Sequence, residues 1–351
     1  MTTAAPITTI RTLVVRDSPV QRAELGRVLQ RDGDIAVVAE TPSTGDVVEL
    51  VARVRPHVVV LHLSDGGAQR AIEQIMAHAP TPILVLLAWP DDRESGTALD
   101  ALVAGALEAV PAPASWTAPL GAGLRHSVRQ ISKIRVIRHP RGALARPPRP
   151  PRQRPPAPGG REQAVVALAA STGGPSALAT VLAGLHGLLA PVLVVQHLHP
   201  EFTDGLVDWM TRASVLPVKT AEHGEIAVPG QVYLAPGEVH LRLGAGGRLE
   251  LAATPATVHR PSADQLFESV AEWAGRAGVG VLLTGMGEDG ARGLLELHRQ
   301  GGRTFAQDEA SSAVFGMPRA AQRLGAVASA DVLRLDQLAA AVCRAVPAAV
   351  R

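Results

Sequence analysis

The sequence predicts an α/β chain of two domains, each a parallel sheet wound on both faces by helices. Three observations predict it. Short, wholly apolar runs alternate with helical patterns, which is how strands buried on both faces of a parallel sheet read. At 351 residues the chain is longer than one core usually organises. A stretch dense in proline and arginine cuts the alternation in two.

The elements follow in order. RTLVV (11–15) is a strand, and SPVQRAELGRVLQRD (18–32) a helix with Leu25, Val28 and Leu29 on one face. IAVVAE (35–40) is a strand and GDVVELVARVR (45–55) a helix. HVVVLHL (57–63) is a strand, AIEQIMAH (71–78) a helix and PILVLLA (82–88) a strand. This first domain spans 9–130. Residues 131–162 form a linker, in which nine basic residues fall between Lys133 and Arg161. Proline removes amide donors and fixes φ, so the segment is read as an extended spacer of polyproline character. The second domain, 163–351, resumes with AVVALAA (164–170), APVLVVQ (190–196), QVYLAP (231–236) and VGVLLTG (279–285) as strands.

Composition narrows the function. Lys+Arg is 34 against Asp+Glu 32, a balance that gives no push toward nucleic acid or an anionic membrane. The one cysteine, Cys343, excludes a disulfide framework and a multi-cysteine metal site. Residues 177–196 carry no formal charge, but Gly184, His186, Gly187 and Pro191 interrupt them, so a helix, a turn and a strand are expected there rather than a membrane span. No secretory signal is read at the N-terminus, and a cytoplasmic location is expected.

Three polar residues share one placement. Ser171 follows VVALAA, His197 follows VLVVQ and Asp289 follows VLLTGMGE, each just past the end of a buried strand. That edge of a parallel sheet gathers ligands and catalytic groups. If the three strands are neighbours, nucleophile, base and orienting carboxylate converge, the set that acyl transfer needs. The glycine-rich turns STGGPS and TGMGEDG add backbone amides suited to an oxyanion, among them that of Met286. Taken singly, each residue has a plainer reading: a serine at such a turn caps a helix, a histidine packs, an aspartate caps.

Six stretches decide between these readings: ASTGGPSAL (170–178), QHLHPEFT (196–203), YLAPGEVHL (233–241), HRPSADQLFESVA (259–271), LLTGMGEDGARGL (282–294) and AQDEASSAVFGMPRAA (306–321). In content and order they resemble the chemotaxis protein-glutamate methylesterases, the CheB family, over roughly 163–347. The resemblance implies an N-terminal receiver-like (flavodoxin-like) domain and a C-terminal Rossmann-like methylesterase domain. It implies Ser171, His197 and Asp289 as the triad, Thr172 as a contact of the histidine and the Met286 amide as an oxyanion donor. His259 is given no catalytic role. The implied activity is hydrolysis of γ-glutamyl methyl esters, and deamidation of certain glutamines, on methylated chemoreceptor helices. Histidine-kinase pathway proteins are implied partners, and no metal or organic cofactor is needed. Two other readings use the same residues: a serine esterase or amidase acting on another protein, and a non-catalytic signalling scaffold. The intact triad speaks against the scaffold.

The first domain departs from the receiver pattern. A receiver needs acids after its first strand to hold Mg²⁺, but Arg16 stands beside Asp17 there. The phosphoacceptor position holds His62, the hydroxyl position Leu87 and the lysine position Ala112. Asp65 lies past the turn, and the only lysines are Lys133 and Lys219. A pseudo-receiver that takes no phosphoryl group is expected.

Overall fold

The structure is a computed structural model, and it describes residues 9–42, 44–63, 67–88, 92–134, 136 and 164–346. The chain divides into two compact units, one up to residue 143 and one from residue 144. Asp65 and all but the first few residues of the expected linker lie outside the described residues.

The first unit runs β1 (Ile10–Val15), α1 (Pro19–Gln30), β2 (Ile35–Thr41), α2 (Val47–Val54), β3 (Val58–Leu63), α3 (Gly67–His78), β4 (Ile83–Ala88), α4 (Asp92–Ala104), β5 (Glu108–Ala112) and α5 (Ala118–Ile131). The strands pair in parallel in the order β2-β1-β3-β4-β5. This is the flavodoxin-like order, which reverses direction between β1 and β3. The side chains of Val58, Val59, Val60 and Leu61 are fully buried, as a central strand covered on both faces requires. At the start of α1, the Ser18 hydroxyl accepts from the Gln21 amide and Pro19 takes a position where no amide donor is needed. Arg125 and Arg129 of α5 bond Asp32 and Asp34, just past α1, at 2.7 Å. Ile131 and Ile134 are buried, so this fold carries past residue 130.

The second unit runs β6 (Val165–Ala170), α6 (Gly174–Ala183), β7 (Val192–Gln196), α7 (Thr203–Ala213), β8 (Val218–Thr220), β9 (Val232–Leu234), β10 (His240–Leu243), β11 (Leu249–Ala252), α8 (Ala263–Trp273), β12 (Gly278–Leu282), α9 (Ala291–Arg299), β13 (Arg303–Gln307), α10 (Met317–Leu324), β14 (Val332–Leu333) and α11 (Leu335–Ala345). Seven of these strands form one parallel sheet, β14-β13-β12-β6-β7-β9-β8, and β10 and β11 make an antiparallel ribbon. The chain builds outward from β6 through β7, then returns to lay β12 on the other side of β6. Beside β6 the direction of winding therefore reverses. Phe267, Leu266 and Val270 of α8 pack with Leu294 and Leu297 of α9 and with the strand residues Ala167, Leu193 and Leu282. Among the described residues no helix is long and apolar enough to cross a membrane.

Candidate active site

The three strands that carry Ser171, His197 and Asp289 are neighbours, in the order β12-β6-β7. Their shared edge is the C-terminal one, beside the winding reversal, where open α/β sheets place ligands.

Ser171 leaves β6 with its amide donating to the Thr284 carbonyl at 3.0 Å. Its carbonyl accepts from the Gly174 amide at 2.8 Å and from Gln196 Nε2 at 2.9 Å. The residue that caps α6 is Gly173, at φ 76°, and no side chain serves as the cap. The Ser171 hydroxyl is therefore not spent on a helix end, and it makes no hydrogen bond among the described residues. Gly285, in the turn after β12, lies against Ser171. A Cβ there would overlap Met317 Sδ and come within 2.8 Å of Ser171 Cβ.

His197 continues β7, its amide donating to the Ala170 carbonyl at 3.0 Å. Gln196 Nε2 also donates to the His197 carbonyl at 2.9 Å, so one carboxamide ties the serine and histidine backbones together. The His197 ring is 9% exposed, and its Nε2 lies 2.8 Å from Asp289 Oδ2. With Nε2–H donating to the carboxylate, the lone pair sits on Nδ1. That atom is buried with no partner among the described residues.

Asp289 accepts four hydrogen bonds. His197 Nε2 (2.8 Å) and the Ala263 amide (2.7 Å) donate to Oδ2. The Ser262 hydroxyl (2.8 Å) and the Asp264 amide (3.1 Å) donate to Oδ1. The carboxylate thus seals the N-terminus of α8, where amide donors and the helix dipole favour negative charge. Burial alone would raise its pKa. The bonds from His197, Ala263 and Ser262 win, and hold the carboxyl well below the ordinary carboxylate range. The cap reading and the orienting reading of Asp289 coincide: it caps α8, while α9, which follows it in the chain, begins at Ala291 and is capped by Gly290.

The Gly285 carbonyl accepts from the Gly316 and Met317 amides at 3.0 and 2.9 Å. In a trans peptide this turns the Met286 N–H the opposite way, and that N–H has no hydrogen bond among the described residues. Thr172 is held by its carbonyl, which accepts from Thr284 Oγ1 at 3.0 Å. The expected contact of Thr172 with the histidine is not a hydrogen bond, because Nε2 is taken by Asp289 and Nδ1 has no partner. The face of His197 is instead covered by His259, with ring centroids 4.3 Å apart and planes 10° from parallel. Burial, then the neighbouring His197, lowers the His259 pKa. The loop before α8 is tethered by His240, whose Nδ1 accepts from the Ser262 amide at 3.1 Å while Nε2–H donates to the Pro255 carbonyl at 2.8 Å. Gln196, Ser262, His240 and the stacking of His259 escaped the sequence reading. The signal for three of them was present in HRPSADQ and VVQ, since polar residues beside a candidate histidine or at a helix start are where supporting bonds arise.

In the first unit, Arg16 follows β1 directly and His62 lies within β3, one residue from its end. Leu87 is buried in β4, paired with Leu63 and Pro111, and Ala112 ends β5. Neither supplies a hydroxyl or an ammonium group.

Residues 166–342 match the CheB methylesterase family. The chain is 44% identical over 336 residues to protein-glutamate methylesterase/protein-glutamine glutaminase 2 of Anaeromyxobacter dehalogenans, covering 94% of this chain and 95% of the relative. It is 41% identical over 315 residues to protein-glutamate methylesterase FrzG of Myxococcus xanthus, covering 87% and 89%. The crystal structure of the Thermotoga maritima CheB methylesterase catalytic domain is similar with a TM-score of 0.50 and 34% identity, covering 52% of this chain and 98% of that one.

Proposed function

Because the chain belongs to the CheB methylesterase family, we propose that it hydrolyses γ-glutamyl methyl esters and deamidates glutamines on chemoreceptor helices, using Ser171, His197 and Asp289. The observation that carries this reading is the polarity of His197: Nε2–H is committed to Asp289 and Nδ1 is buried with its lone pair unused.

On this reading Ser171 Oγ attacks the ester carbonyl and its proton passes to His197 Nδ1. Asp289 stabilises the imidazolium through Nε2–H. The two ring nitrogens thus exchange the roles they have in the serine proteases, where Nε2 faces the serine. The tetrahedral oxyanion takes a hydrogen bond from the Met286 N–H. Nδ1 then returns the proton to the departing methoxide, which leaves as methanol. Water hydrolyses the acyl-serine by the same steps in reverse, giving glutamate. A glutamine substrate follows the same course and releases ammonia.

Methanol release from a methylated chemoreceptor is the measurement that checks this. Ser171→Ala should lower it by roughly 10³-fold or more. Equal rates for variant and wild type would overturn the assignment, and no methanol from the wild type would point to another protein substrate.

The first unit is a receiver without its switch. Arg16 in place of an acid opposes Mg²⁺, and His62, Leu87 and Ala112 replace acceptor, hydroxyl and lysine. Incubation with acetyl phosphate and Mg²⁺ should leave the intact mass unchanged. A phosphoryl adduct would sink this part of the proposal.

A further inference from the structure

Arg16 and His62 stand at the C-terminal ends of β1 and β3, the strands between which the order β2-β1-β3-β4-β5 reverses. The crevice at such a reversal is the ligand site of open α/β sheets, and in the flavodoxin-like order it holds a phosphate-bearing cofactor. Arg16 is only 5% exposed. Its Nε donates to Gln21 Oε1 at 3.2 Å, but Nη1 is buried with no partner among the described residues. Among the described residues Arg16 forms no ion pair. The adjacent carboxylate, Asp17, accepts from the Ser18 amide at 3.0 Å instead. His62 has both ring nitrogens buried, with no partner among the described residues.

Each of these is costly by itself. A guanidinium taken out of water without a counter-charge is among the most unfavourable arrangements a fold can hold. A buried imidazole with neither nitrogen bonded adds to it. The two residues also feel one another. Burial first, then the Arg16 charge, holds the His62 imidazole below its ordinary pKa, with Asp17 opposing. Asp17 and Glu24 are the carboxylates that bear on Arg16, and neither reaches it as an ion pair.

Water would satisfy hydrogen bonds here but not the charge. An oxyanion would satisfy both. The planar fork of arginine matches two oxygens of a phosphate-type group, and imidazole offers an N–H in either tautomer. We propose that the crevice at Arg16 and His62 reversibly binds a phosphate-class oxyanion, as free phosphate or as the phosphoryl end of a monoester. The site is non-covalent, and it stands apart from the esterase reading of the second unit.

Calorimetric titration of the full chain with inorganic phosphate, and separately with methyl phosphate, tests this at constant ionic strength in chloride buffer. Saturable binding is expected at millimolar concentrations or below. Binding of both probes would indicate a site open to a monoester, and binding of phosphate alone a closed one. Arg16→Leu and His62→Gln should each weaken binding by about tenfold or more, the scale of a lost charge-assisted hydrogen bond. In phosphate-free buffer, Arg16→Leu should unfold no earlier than wild type, because it removes a buried charge that has no ion pair among the described residues. A purely structural arginine would give the reverse. Absence of saturable binding, affinity unchanged in His62→Gln, or early unfolding of Arg16→Leu would each overturn the proposal.

Discussion

Asp289 does two jobs with two oxygens. Ala263 and Asp264 donate to it from the start of α8, and His197 and Ser262 donate from their side chains. An amide in its place has one oxygen and one NH₂. Whichever way it turns, the NH₂ faces a backbone N–H, of Ala263 or of Asp264. Asp289→Asn should therefore lower kcat by about 10³–10⁴-fold, the scale seen when the carboxylate of a triad becomes an amide. It should also cost stability, and pH tells that cost apart. The Asp289 pKa is depressed below its ordinary value of 3.8 in the folded state. Its contribution is thus complete above that value and is lost as pH falls through the lower, folded one. The stability gap between wild type and Asp289→Asn should be constant from neutral pH down to about pH 5 and narrow below about pH 4. Chemical denaturation at several pH values checks this; a gap that narrows between pH 7 and 6 would assign it to a histidine. The shared placement of Ser171, His197 and Asp289 past three strands was legible in the sequence, and the resemblance carried by six stretches, not that placement, singled them out as a triad. The bonds that hold them were not legible. Gln196 and Ser262 act through contacts with residues 25 and 27 positions away, Ser171 and Asp289, and no local pattern encodes such a pairing.

At the scale of elements, the site depends on β12, β6 and β7 lying side by side and on two turns pressed against each other. The turn after β12 passes so close to Ser171 that only hydrogen fits on Gly285. Gly285→Ala would force its methyl into Met317 Sδ and Ser171, so the turn, the Met286 amide or the serine must shift. Overpacking of this kind costs about 1–3 kcal/mol. A small displacement of nucleophile from oxyanion donor costs about 10²-fold in rate. Gly285→Ala should accordingly lose more in kcat than in KM while remaining folded, which methanol-release kinetics beside a melting curve would resolve. The four strands read from the second domain's sequence are all in its sheet. β8 and β14 were missed because three and two residues show no periodicity. β13 was missed because Arg303, Thr304 and Gln307 interrupt its apolar run. The β10–β11 ribbon was missed for the same reason, since His240, Arg242 and Glu250 punctuate it.

At the scale of the whole molecule, two parallel sheets carry opposite fates for the same edge. In the second unit the C-terminal edge keeps serine, histidine and carboxylate with a bonded network behind them. In the first unit the corresponding edge carries Arg16 beside Asp17, and His62, which the proposed reading places where a receiver has one of its acids and its acceptor. The two-domain reading came from the rhythm of apolar runs and from the proline-rich break, and the sheet order of each unit was beyond it, because strand adjacency is set by long-range pairing. Every group of the candidate active site lies between residues 171 and 289, so the chemistry needs nothing from the first unit. A protein of residues 163–351 should therefore release methanol at least as fast as the full chain, and Ser171→Ala should abolish the rate in both. In a phosphorylation-controlled enzyme, acetyl phosphate with Mg²⁺ would raise the full-chain rate toward that of the fragment. On the proposed reading Arg16 opposes Mg²⁺ beside Asp17, and His62, Leu87 and Ala112 replace acceptor, hydroxyl and lysine, so the ratio of the two rates should stay the same with and without acetyl phosphate. A ratio that collapses toward unity on adding it would show that the first unit still receives a phosphoryl group and still governs the second.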